Sequence, residues 1–375
     1  MIDDALAALE QALRDNPRCD MAAAEMAAQE GRARPHAVFY LGRGPDPQAE
    51  EAMRESSEHR KPQAEHYDVA KLEQEIRGMT GPLAMGNPMR AALGLGVGPG
   101  TLTASFGCEL DPNANFCPVN HVSLDEFLAR GCPDPATSGL LPVMHEKIDL
   151  IKAHTPAWFM IDSPDMQGPF NLIHMILGDE AFFAPLERPA EFQQAMTLLT
   201  DFFLAVHANM LRWIGPEHRG GFWPRIYRIA ECSTNMISAE LYAQHVLPHD
   251  LRIAKTWGKV GIHTCSGAHV FYGTLRQLPN VIATEAGLIP KATAGWTDPD
   301  EAQQEIGERP IILNIGQELP LGREEEVLKQ DLDRLLANPR ILLGNTGMHW
   351  KKADEPMIRA LHQKLDDYYE ARVKC

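Results

Sequence analysis

The chain has 375 residues, 44% hydrophobic and 23% charged, enough to bury a large core as one domain or two. Its 51 acidic residues outnumber 35 basic ones, and the formal charge of −16 repels nucleic acid and anionic lipid, excluding both as partners. No apolar run reaches the length of a membrane span. The seven cysteines are odd in number and form no disulfide-framework spacing, so the expectation is a reduced, cytoplasmic protein.

The N-terminal "MIDDALAALEQALRDN" is an acidic amphipathic helix rather than a cationic signal peptide. Residues 1–35 are expected to be a helical extension ahead of a single domain over 36–375. A first strand is expected at "HAVFYLG" (36–42). Residues 44–92 are polar and helical, with an irregular stretch "RGPDPQAEEAMRESSEHRKPQAEHYD", and are read as an insertion over that domain. "GLGVGPG" (94–100) lacks the strand–glycine–helix order of a dinucleotide fingerprint and is read as a turn into a second strand, "GTLTASFG" (100–107). Further strands are expected at "AWFMID" (157–162), "RIYRIAE" (225–231), "KVGIHTC" (259–265), "NVIATEA" (280–286), "PIILNIG" (310–316) and "RILLGN" (340–345). Long amphipathic stretches lie between them, notably residues 187–214 and 238–258, with others at 298–307, 323–338 and 354–373. Eight strands alternating with helices predict an α/β fold, a closed (β/α)8 TIM barrel, with a doubly wound open sheet as the rival.

Barrel enzymes build their sites at the C-terminal ends of strands. His263 and Cys265 are two residues apart at such an end and share one face. Glu285 ends the next strand, about 5 Å away. An imidazole, a thiolate and a carboxylate fit zinc with its fourth position open to water or substrate. Cys232 and His349 are further ligand candidates. The loop "IDSPDMQGPFN" offers Asp162, Asp165, Gln167 and Asn171 for substrate hydrogen bonds or acid–base work; the other reading makes Asp165 the cap of the next helix. Arg225, Arg228 and Glu231 lie on the fourth strand, and alternation puts the two arginines on opposite faces, one of them suited to a substrate carboxylate. Asn314, Gln317 and Asn345 end later strands. Asp165 and Glu231 are the candidate catalytic carboxyls; Asp162, Gln167, Asn171, Arg225, Asn314, Gln317, Asn345 and His349 are candidate substrate contacts. The lone His121 and His174 are read as structural.

The segment "ECSTNMISAELYAQHVLPHDLRIAKTWGKVGIHTCSG" (231–267) resembles the uroporphyrinogen decarboxylase superfamily, with its polar strand end, helix and "H-x-C-G". "DMQGPFNLIHMILGDEAFFAPLERPAEF" (165–192), the "FG" at 106–107 and "ILLGN" extend the resemblance over roughly 95–370. The decarboxylases of that superfamily carry an arginine-rich "R-Q-A-G-R" segment, whereas "FYLGRGPDP" keeps only Arg43. The resemblance therefore implies the methyltransferase branch, whose zinc pattern is His-x-Cys with a later cysteine, often near the last strand, where this chain has "LLGNTGMHW" instead. A related barrel, cobalamin-independent methionine synthase, uses a glutamate at a position resembling Glu285. The resemblance thus leads to the expectation of a zinc-dependent methyltransferase, with zinc on His263, Cys265 and Glu285. A small-molecule methyl donor or acceptor would be the substrate. A corrinoid on a separate carrier protein, or tetrahydrofolate, would be the other methyl partner. The sequence also leaves room for a homodimer. The alternatives are a cofactor-free decarboxylase or lyase, and a non-catalytic small-molecule-binding barrel.

Overall fold

The computed structural model describes residues 1–16, 67–84, 90–95, 98–111, 116–220, 227–258, 260–264, 281–288, 303–304, 307, 311–315, 341–343, 359, 363 and 367. Two helices open the described chain, α1 (Ile2–Asp15) and α2 (Val69–Ala84). Ala5, Leu6 and Leu9 of α1 join Leu72, Ile76 and Met79 of α2 in the same hydrophobic cluster that holds the sheet residues. α1, in the expected extension, and α2, in the expected insertion, thus contribute residues to this cluster. The expected strand 36–42 and most of the 44–92 segment lie outside the described residues.

Strand β1 (Ala92–Gly94) comes next, just ahead of the glycine-rich segment. The strand expected at 100–107 is a correction: Thr103–Phe106 is a 3-10 helix ending at Gly107, whose φ is 88°. The reason is local. The Thr101 and Thr103 hydroxyls donate to the carbonyls of Gly98 and Gly100, at 2.5 and 2.7 Å, and so favour a turn over a sheet ladder. A two-stranded antiparallel hairpin comes after it, β2 (Leu110–Asp111) with β3 (Cys117–Pro118).

Helices α3 (Leu124–Arg130) and α4 (Leu141–His154) then lead to β4 (Met160–Asp162). The Ser123–Glu126 capping box starts α3. After β4 come α5 (Pro169–Leu177), α6 (Glu180–Glu187) and α7 (Pro189–Ile214). The 26-residue α7 buries Phe192, Ala195, Met196, Leu199, Phe202, Phe203, Val206 and Met210, a stripe at helical spacing. Phe202 meets Phe106 edge-on at 5.1 Å, which anchors the 3-10 turn to this helix.

Strand β5 (Tyr227–Ala230) precedes a 3-10 turn, Cys232–Met236, and a helical segment that ends as α8 (Leu247–Trp257). Pro248 lacks an N–H to donate, and the turn before it widens to a π-helix over Tyr242–Val246. Strands β6 (Val260–Thr264), β7 (Val281–Leu288), β8 (Ile311–Ile315) and β9 (Ile341–Leu343) complete the sheet.

The order β5-β6-β7-β8-β9 is parallel throughout. β1 and β4 form a second parallel pair, and Ile161 of β4 also makes a parallel bridge with Arg219. Six of the eight expected strands therefore stand where the alternating pattern put them. The fold is mixed α/β with parallel strands, and closure into a barrel is not among the described contacts. No described helix is long and apolar enough to cross a membrane.

Candidate functional site

In a parallel sheet, register partners share a face and successive residues alternate between faces. On β5, Tyr227 packs its ring against His207 of α7 at 4.4 Å and Trp257 of α8 at 5.3 Å. That face is therefore the helix side. Arg228 and Ala230 lie on the other face, with their register partners Gly261 and His263. His263 is buried and pairs with Glu285 of β7, and Glu285 in turn with Ile312 of β8. Asn314, two residues on, falls on the same face. Register thus brings Arg228, His263, Glu285 and Asn314 onto one face of the sheet.

The pairing of His263 with Glu285 depends on an irregularity. Val260 pairs with Val281, but Gly261 pairs with Ala283, so one residue is skipped between them. Without that bulge Thr284 would stand beside His263 and Glu285 would face the helices. Cys265 lies outside the described residues, as do Arg225, Gln317, Asn345 and His349. Among the described residues no group of three or more His, Cys, Asp or Glu side chains is placed to hold a metal ion.

Glu231 comes directly after β5 on the helix side and is fully buried. Its backbone N–H donates to the His263 carbonyl at 2.8 Å, tying the two strand ends together. Its carboxylate accepts from the Phe170 and Asn171 amides, both at 3.2 Å. It therefore caps the start of α5, where backbone donors and the helix dipole favour an anion. Asp165 does not cap that helix. It accepts from the Gln167 amide at 3.3 Å and pairs with Arg228 at 3.1 Å.

Behind Glu231 lies Asp250, also fully buried and within hydrogen-bond reach of it. The Tyr242 hydroxyl donates to Asp250 Oδ2 at 2.7 Å, while Oδ1 has no donor if both acids are ionised. A proton held between the two carboxyls satisfies both. Burial pushes Asp250 up to about 7. Burial, and then the Asp250 charge, raise Glu231 well above the usual carboxylate range. Between the ordinary Asp value and 7 the folded chain holds a proton that the unfolded chain releases. Stability from this pair is thus present at low pH and lost as pH rises through 7. Melting temperature against pH should fall across that window, and Asp250→Asn should flatten the fall. An unchanged slope in the variant would place the titration elsewhere.

The β4–α5 loop is tightly held. Gln167 is buried with φ of 60°, a left-handed conformation that is costly for a residue with a side chain. Its Oε1 accepts from Asn171 Nδ2 at 2.7 Å, and Asn171 Oδ1 accepts from the Ser233 amide at 2.7 Å. Ser233 Oγ meets His174 Nδ1 at 2.8 Å, a structural role for that histidine. His121 Nδ1 meets the Met175 carbonyl oxygen at 3.3 Å. Asp162 ends β4 and takes both terminal nitrogens of Arg90, at 3.3 and 3.2 Å. Cys232 opens the turn after Glu231.

Sequence reasoning missed Arg90, Tyr242 and Asp250. A signal existed for Asp250, which falls in the buried helical stripe of Val246 and Ile253 where an apolar residue is the norm.

No family model matches the chain, and no curated protein sequence does. In structure it is similar to a methyltransferase from Methanosarcina mazei, with a TM-score of 0.61 over 92% of this chain and 97% of that one. The two are 14% identical in sequence, so the likeness defines a shared fold.

Proposed function

We propose that the protein is a zinc-dependent methyltransferase of the uroporphyrinogen decarboxylase-like superfamily, moving a methyl group between a small substrate and a corrinoid carrier protein or tetrahydrofolate. The observation that carries this reading is the register pairing of His263, one residue before the end of β6, with Glu285 within β7. The fold shared with a methyltransferase supports it. A buried imidazole beside a carboxylate position, with Cys265 two residues on, is a donor set that suits zinc. Bound there, zinc would supply Lewis-acid polarisation of a substrate heteroatom.

The chain's own groups orient the substrate. Arg228, on the face of His263 and paired with Asp165, would hold an anionic substrate group. Asp162, Gln167, Asn171 and Asn314 would supply further polar contacts, as would Arg225, Gln317, Asn345 and His349. Glu231 acts as a positioning residue through α5 and the His263 strand end.

Protein purified without chelator should carry about one zinc per chain and transfer methyl groups to or from an added corrinoid protein or tetrahydrofolate. A second reading, a cofactor-free decarboxylase or lyase, is favoured by the two arginine–carboxylate pairs next to β4, Arg90–Asp162 and Arg228–Asp165. Absence of stoichiometric metal together with release of carbon dioxide from a carboxylic acid substrate would select that reading instead. Either way, Gln167→Ala should lower turnover roughly ten- to hundred-fold, with metal content unchanged, if the loop faces substrate. A lower melting temperature with full turnover would make Gln167 purely structural.

A further inference from the structure

A small cavity lies between the β4–α5 loop, α7, the start of β5 and the last residue of α8. About 20 Å³ of it is open to the centre of a water-sized group, room for little more than the head of a small ligand. Its lining includes Ser163, Asp165, His207, Tyr227, Arg228 and Trp257; Arg228 leaves β5 on the face opposite Tyr227, but its guanidinium reaches Asp165 of the β4–α5 loop, which lines the same cavity. Three of these carry buried polar atoms with no partner among the described residues: Ser163 Oγ, His207 Nε2 and Trp257 Nε1. His207 itself is more than nine-tenths buried.

Apart from the Asp165 carboxylate, the polar groups named can all act as donors, although the hydroxyls of Ser163 and Tyr227 and the neutral imidazole can also accept. An indole N–H and a guanidinium can only donate, a hydroxyl can donate, and a neutral imidazole donates from whichever nitrogen bears the proton. Burial holds His207 neutral by lowering it to about 4. Among the described lining residues the one carboxylate, Asp165, pairs with Arg228 and accepts from the Gln167 amide. The cavity therefore presents donors to a ligand of acceptors. Unpaired buried donors are costly, so a group that satisfies them binds with that cost relieved.

We propose that this cavity is a carboxylate-binding subsite, in which Arg228, Trp257 Nε1, Ser163 Oγ and His207 Nε2 together take the two oxygens of a small organic acid. Asp165 is the resident counter-ion that yields its place. Its side chain is 37% exposed against 12% for Arg228, so the carboxylate can turn to solvent while the guanidinium stays. Arg228 stands two residues before Ala230, the register partner of His263, which links the subsite to the proposed reaction centre. The subsite stands on residues outside the proposed metal set, so either reading can fail alone.

Formate, the smallest carboxylate, is the probe. It is titrated into the full chain, labelled with nitrogen-15, against chloride at matched ionic strength. The indole N–H signals of the six tryptophans are followed, and Trp257→Phe identifies the signal of interest. That signal should shift and saturate with formate. Arg228→Gln should weaken binding at least about ten-fold. Asp165→Asn should tighten it by about three-fold or more, because the competing charge is gone. A merely structural ion pair predicts no formate effect in any of the three. A Trp257 signal that responds equally to chloride and formate, or binding that Asp165→Asn weakens, overturns the proposal and leaves the cavity to water.

Discussion

Gly168→Ala should be among the most damaging single substitutions in the described chain. A Cβ at 168 would sit 2.2 Å from Glu231 Oε1, 2.4 Å from its Cδ and 2.8 Å from the Ala230 carbonyl oxygen. The backbone oxygen belongs to a strand and cannot step aside, since the Gly168 amide itself donates to it at 2.6 Å. The carboxylate would have to retreat toward Asp250, away from the Phe170 and Asn171 amides it holds. Two buried donors would lose their partner, and two acids already short of solvent would be pressed together. Each lost buried hydrogen bond to a charged group costs about 1.5–3 kcal/mol, so a loss of several kcal/mol is expected. The check is a thermal melt of Gly168→Ala beside Gly131→Ala. The latter glycine has φ of 70° but nothing within 4 Å of an added Cβ. It therefore tests backbone strain without the clash. If the two variants melt alike, crowding of Glu231 is not what makes Gly168 necessary.

If the proposed zinc site is correct, His263→Ala should lower zinc occupancy by more than about ten-fold, because it removes one of the three proposed protein ligands. Cys265→Ser should do the same, and Glu285→Gln should weaken binding, a neutral amide being a poor ligand for zinc. The register supplies a sharper control. Thr284→Val lies one residue from Glu285 but on the opposite face, and metal content should be unchanged in it. Metal analysis of the four variants, purified side by side, decides the matter. Loss of zinc in Thr284→Val with retention in Glu285→Gln would mean that the bulge at the start of β7 is not present in the zinc-bound protein. Full occupancy in His263→Ala would remove the metal site altogether.

Much of the fold was legible from periodicity. The α7 stripe repeats every three to four residues over 26 positions, and strands such as "VGIHT" and "IILNI" are short apolar runs bounded by turn residues. The parallel arrangement followed from helices alternating with those runs. The segment 100–107 misled because threonine favours strands on average, while here two threonine hydroxyls bond the backbone three residues behind them. β1 was missed because "ALG" is three residues of weak strand preference, kept extended by its pairing with β4.

The site divides in the same way. Residue types and spacing by themselves placed His263 on a strand next to the one that carries Glu285, and they marked the "DMQGP" loop as polar; Glu285, expected at a strand end, lies within β7 (Val281–Leu288), and Cys265, expected to share the face of His263, lies outside the described residues. Three things were decided by tertiary structure alone. A bulge in β7 brings Glu285, rather than Thr284, opposite His263. Glu231, on the helix side of β5, caps α5 and meets Asp250. Arg228 takes Asp165 as a partner beside a cavity where Ser163 Oγ, His207 Nε2 and Trp257 Nε1 lack a partner among the described residues. Each is a pairing between segments distant in the chain, set by where packed elements come to rest, and local pattern carries no record of that position.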